Sequence, residues 1–108
     1  MTTPRVTLGQ AIIAARKALK MSQKELAASV HKEDGSGTIS PQYLNDIEHD
    51  RRSPTSDQLI REFARALKID EDYLFVVAGK IPEETRMAAT DPTSTARAFK
   101  AFRRSLAK

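Results

Sequence analysis

Met21-Ser22-Gln23-Lys24-Glu25-Leu26-Ala27 and, further along, Ile39-Ser40-Pro41-Gln42-Tyr43-Leu44-Asn45-Asp46-Ile47-Glu48 are the two stretches that decide the fold of this chain. Ser22 and Glu25 stand at capping-box spacing. The hydroxyl accepts from an orphan N–H of the first helical turn while the carboxylate reaches back to the cap's own N–H. Ser40 is a favourable N-cap, and Pro41 follows at the first helical position, where its missing N–H costs nothing. Two short capped helices in series are expected, one opening at Ser22 and one running from Ser40 to about Glu48. Leu26, Ala27 and Val30 give the first an apolar side, and Leu44 and Ile47, preceded by Ile39, give one to the second.

That second helix needs only two inward residues, which leaves Gln42, Tyr43, Asn45 and Asp46 facing outward. Asn and Gln side chains pair with adenine through two hydrogen bonds in a major groove, and a carboxylate accepts from a cytosine amino group. Ser40, at a helix N-terminus, suits a phosphate oxygen, and Arg51 and Arg52 follow where they can clamp an adjacent sugar-phosphate backbone. Taken alone, residues 42–46 read equally as an ordinary solvated helix face.

Working outward, Thr7 and Gln10 repeat the capping-box spacing, as do Thr55 and Gln58, and Asp70-Glu71-Asp72 places negative charge where a helix N-terminus favours it. Apolar residues recur at helical period behind these caps: Leu8, Ile12, Ala15 and Leu19; Leu59, Phe63, Ala64 and Leu67; Leu74, Phe75 and Ala78. No segment alternates with period two. The expectation is an all-α, five-helix domain over residues 7–82, its helices too short to persist unless their stripes pack together. Residues 83–108 read as a linker, with a helical turn around 84–88, and a C-terminal amphipathic helix opening at Asp91-Pro92. Ala96, Phe99, Phe102 and Leu106 share one face of that helix, with Arg97, Lys100, Arg103, Arg104 and Lys108 around the rest.

Composition narrows the function classes. A chain of 108 residues fits one small domain and an appendage. The absence of cysteine removes disulfides, thiolate metal sites and thiol nucleophiles, and suits a reducing cytoplasm. No apolar run reaches the length of a membrane span, and Met1–Arg5 lacks the pattern of a secretory leader. A net charge of +4 favours a polyanionic partner, although a solvated surface accounts for it as well.

Leu8-Gly9, Ile12, Arg16 and Met21 to Ala27 resemble the opening of the lambda-repressor/Cro-like (Xre) helix-turn-helix family. Ile39 to Glu48 is similar to its recognition helix, and Arg51-Arg52-Ser53-Pro54 to the loop that follows. Leu59 to Leu67 and Asp72 to Pro82 extend the resemblance over residues 7–82. It implies double-stranded DNA as partner and a bacterial or phage-encoded, cytoplasmic transcriptional regulator, a repressor acting as a homodimer. Carried across by position, it implies base reading by Pro41, Gln42, Tyr43, Asn45 and Asp46, and a phosphate contact for Gln23 alongside Ser40, Arg51 and Arg52. It also implies a salt bridge between Arg16 and Glu48 that orients the reading helix; simple solvent exposure of Arg16 is the alternative.

Three features depart from the family pattern. His31-Lys32-Glu33-Asp34-Gly35-Ser36-Gly37-Thr38 is about seven residues longer than the tight turn expected there, an excess that loop entropy tolerates. It is either a neutral surface insertion or, through Lys32, Ser36 and Thr38, a further contact to the DNA backbone. Asp46 repels phosphate unless it meets a base donor or orients a neighbour such as Arg51, and Pro41 lacks a backbone donor.

No catalytic constellation assembles: His31 and His49 have no acid partner at a telling spacing, and Gly35-Ser36-Gly37 is no phosphate-binding loop. The expectation is a non-enzyme without cofactor or metal, the oxygen-rich insertion failing the calcium-loop pattern. The Phe99, Phe102 and Leu106 stripe is left for docking on its own domain, a dimer contact, or a protein partner, as in an antitoxin of this fold; its basic residues can also track DNA.

Overall fold

Thr7, Ser22 and Ser40 each open a helix with the side-chain hydroxyl accepting a backbone N–H three residues on, from Gln10 at 3.1 Å, Glu25 at 3.0 Å and Tyr43 at 3.0 Å. In a computed structural model that describes residues 6–54 and 56–107, these caps start α1 (Leu8–Ala18), α2 (Gln23–Ala27) and α3 (Pro41–Glu48). The Met1–Arg5 segment, the expected cap Thr55 and the basic Lys108 lie outside the described residues. Helix α4 (Asp57–Leu67) is capped by Ser56, which accepts from Leu59 N–H at 3.2 Å. The residue three beyond this cap is Leu59, which cannot reach back, so no capping box forms there; the spacing from Thr55 was one position out of register. Asp70 caps α5 (Glu71–Ala78), and Gly79 closes it at φ +71°, a conformation that costs a side-chain-free residue little.

The apolar stripes converge on one core. Ile12, Leu26, Leu44, Ile47, Ile60, Phe63, Leu67, Leu74 and Phe75 are fully buried, with Val30 beneath the connection from α2 to α3. Helix α1 packs against α3, α4 and α5, α2 lies on α3, and α4 pairs with α5. The approach of α1 to the end of α3 depends on Gly9. A Cβ there would meet the Ile47 carbonyl oxygen at 2.7 Å and strike that of Glu48.

The insertion after α2, read from the sequence as a plain loop, is a small hairpin. His31 and Thr38 form an antiparallel bridge, Lys32 N–H donates to the Gly37 carbonyl at 2.8 Å, and Ile39 N–H to that of Val30 at 3.0 Å. Gly35 and Gly37 take positive φ at its tip. Its base is fastened to α4, for Glu62 Oε1 accepts from His31 N–H at 2.9 Å and lies 3.0 Å from His31 Nδ1.

Beyond the five-helix domain, α6 (Glu83–Ala88) is tied to α4. Asp57 Oδ2 accepts from Glu83 N–H at 2.8 Å, Lys80 Nζ lies 3.1 Å from Asp57 Oδ1, and Arg61 pairs with Glu84. The Glu83 N–H and Lys80 hold the Asp57 carboxyl below its ordinary range. Helix α7 (Pro92–Leu106), capped by Asp91, buries none of its residues. Phe99, Phe102 and Leu106 stay exposed, so their stripe is not docked on the chain's own core.

Candidate nucleic-acid interface

Helix α3 is held in place by a polar knot at its inner end. Glu48 is 3% exposed, an exceptional position for a carboxylate, and it is fully partnered. Arg16 reaches it with two bonds, Nε to Oε2 at 2.7 Å and Nη2 to Oε1 at 3.0 Å, while Arg16 Nη1 donates to the Met21 carbonyl at 3.0 Å. The amide of Gln23, the first residue of α2, donates to Glu48 Oε1 at 2.9 Å and to Asn45 Oδ1 at 3.1 Å. One cluster thus links α1, the turn before α2, α2 itself and α3. Charges so enclosed are stable only when satisfied in this way.

This arrangement recasts Gln23. Both amide protons of its side chain are committed inside the protein, and a phosphate contact through that nitrogen requires one of them to be given up. Asn45, half-buried, has its side-chain carbonyl oxygen engaged by Gln23.

Around the outer surface of α3, Asp46 organises its neighbours. Gln42 Nε2 donates to Asp46 Oδ1 at 3.2 Å, Arg51 reaches the same oxygen through Nε at 3.2 Å and Nη2 at 3.1 Å, and Arg52 Nε lies 3.9 Å from Oδ2. Arg52 also sits over the Tyr43 ring, 5.6 Å from its centroid, at cation–π distance. Pro41, Gln42, Arg51 and Arg52 are exposed; Tyr43 and Asp46 are half-buried. The two arginines are therefore aimed along the surface that bears Gln42.

The hairpin stands beside this surface. Lys32 and Thr38 border a cleft of about 410 Å³ whose other walls include Ser40, Tyr43 and Ser56. Four of the candidate contact residues, Lys32, Thr38, Ser40 and Tyr43, thus border one cleft at the first turn of α3. The α7 stripe is not brought to that cleft.

A helix-turn-helix family model matches residues 12–74, more than half of the chain, from within α1 into α5. The chain belongs to the Xre, or lambda-repressor-like, helix-turn-helix family. No curated protein and no solved structure matches it significantly. As an Xre-family protein it is a DNA-binding helix-turn-helix regulator, and no helix among the described residues is long and apolar enough to cross a membrane.

Two residues that shape the Xre site escaped the sequence reading. Asp50, in the left-handed conformation at φ +59°, accepts from Gly9 N–H at 3.0 Å and from the Thr7 hydroxyl at 2.7 Å, joining the end of α3 to the start of α1. An acid two positions after a helix is a weak signal by itself. Glu62 anchors the hairpin; the Arg65 guanidinium, with help from His31, holds its carboxyl down to about 2. Nothing near Glu62 in sequence announces that role.

Proposed function

We propose that this Xre-family protein is a sequence-specific transcriptional repressor that acts as a dimer on a two-fold operator in the bacterial or phage-infected cytoplasm. One observation carries the reading: Gln42 lies exposed on α3 while Asp46, Arg51 and Arg52 are linked around it. A helix so presented suits a major groove, its polar side chains meeting base edges while adjacent arginines meet phosphates.

In this reading Gln42 and Asn45 are the principal base readers, Pro41 and Tyr43 contribute apolar contact, and Asp46 acts by positioning. Ser40, Arg51, Arg52, Lys32 and Thr38 contact the backbone, the last two bringing the hairpin against the strand next to α3. Gln23 serves as a second positioning residue, orienting Asn45. Two copies would place their α3 helices about 34 Å apart, one turn of B-DNA. Occupying a promoter in this way excludes polymerase.

Selection of bound sequences from random DNA, followed by titration of the winner, tests the reading. A two-fold consensus is expected, and Gln42→Ala is expected to cost about 1–3 kcal/mol at one base position per half-site while Arg52→Ala weakens all sequences alike. Failure to enrich any sequence, with equal affinity for random DNA, would leave a non-specific DNA-coating role instead.

A further inference from the structure

Two exposed apolar faces of this chain carry opposite charge. On α7, Phe99, Phe102 and Leu106 form a stripe, Leu106 being 66% exposed. The helix carries Arg97, Lys100, Arg103 and Arg104 and no acidic residue after its Asp91 cap. On α5, Tyr73 and Val76 lie one turn apart and face outward, Val76 at 68% exposure. Asp70, Glu71 and Asp72 precede them, and no basic residue occurs from Asp70 to Gly79. Among the described residues Asp70 and Asp72 have no ion-pair partner and neither do the four cations of α7, while Glu71 lies 3.2 Å from Arg61 of its own chain and shares its charge with it.

We infer that α7 of one copy docks on the outer face of α5 of a second copy, and that the exchange is reciprocal. The inference rests on the dimeric reading proposed above and supplies its surface. Laid antiparallel, the basic end of α7 at Arg103 and Arg104 falls beside the acidic start of α5 at Glu71 and Asp72, and the aromatic stripe of α7 covers Tyr73 and Val76. Pairing α7 with the α7 of its partner would instead bring like charges together, which costs free energy at a contact. Within one copy α7 buries nothing, and Val76 remains open. A two-fold axis makes each copy both donor and acceptor of a helix, so the assembly closes as a dimer.

Charge reversal distinguishes this from every other contact. The full-length protein is expected to sediment as a dimer. R103E/R104E, and separately E71K/D72K, which keeps the Asp70 cap, are each expected to weaken the dimer at least about tenfold. Mixed together, the two variants should form a heterodimer, because each acidic α7 then meets a basic α5 and each basic α7 an acidic α5. Misfolding cannot produce that rescue, and circular dichroism of each variant reports its helix content. A wild-type dimer indifferent to either reversal, or a mixture that fails to pair, overturns the α7–α5 contact while leaving dimeric DNA binding intact. A wild-type monomer, including one whose α7 docks on its own α5, overturns the contact and the dimer with it.

Discussion

Arg16 and Glu48 meet with two bonds, at 2.7 and 3.0 Å, across the junction of α1 and α3, and the carboxylate side chain between them is only 1% exposed. Because Gln23 and the Met21 carbonyl complete the same cluster, the orientation of α3 is fixed by buried polar geometry as well as by Leu44 and Ile47. Removing one partner leaves the other charge enclosed without its counterpart. Arg16→Met is expected to destabilise the fold by about 3–5 kcal/mol, and R16M/E48M to recover much of that loss. Urea midpoints of the two variants check this; equal losses would mean that Glu48 is not enclosed in solution.

The closeness of α1 to α3 makes a second prediction. At Gly9 the obstacle to a methyl group is the backbone carbonyl of Ile47, 2.7 Å from the Cβ position, and no rotamer change can clear it. Gly9→Ala is expected to cost about 1–3 kcal/mol despite alanine's better helix propensity. Calorimetry should show a lowered Tm. An unchanged or raised Tm would show that the helices separate freely.

Caps and stripes made the five helices of the domain legible in the sequence, since each rests on residues within one or two turns of one another. Ser22, Ser40 and Asp70 do what local rules require, and Leu26, Leu44, Phe63 and Leu74 are buried as their periodicity demands. The α4 cap fell one residue away because Thr55 and Ser56 offer the same chemistry at adjacent positions. The hairpin was not legible, for its anchor is Glu62, 31 residues from His31. The bonds of Gln23 to Asn45, 22 residues on, and to Glu48, 25 residues on, were likewise beyond any local spacing. Asp46 is the intermediate case: an orienting role towards Arg51 was legible, whereas its bond to Gln42 was not.

Glu62 makes hairpin anchoring sensitive to acid. Its carboxyl sits at about 2 in the folded protein against an ordinary 4.5, held there by Arg65 and His31. The unfolded chain binds the extra proton first, so the contribution is complete above about pH 4.5 and fades as pH falls towards 2. Amide exchange at Lys32 and Ile39, corrected for its intrinsic pH dependence, should lose protection over that window. Glu62→Gln at neutral pH should lower it about tenfold, because this opening is local. Protection constant down to pH 2 would show that the two hairpin glycines and the bridge suffice without the anchor.

Asp46 presents the sharpest choice between contact and positioning. A carboxylate on the surface proposed to meet DNA repels phosphate, yet this one is bonded to Gln42 and to Arg51, with Arg52 nearby. If it read a cytosine, Asp46→Asn would lose recognition at that single base pair and spare the rest. A positioning role predicts a different pattern. Asp46→Ala frees Gln42 and both arginines, so affinity for random DNA rises as a negative charge disappears, while the preference for the operator falls by about 1–3 kcal/mol, spread over several positions. Competition binding at fixed salt against a set of singly substituted operators separates the two, and a loss confined to one G·C pair would restore Asp46 to the base readers.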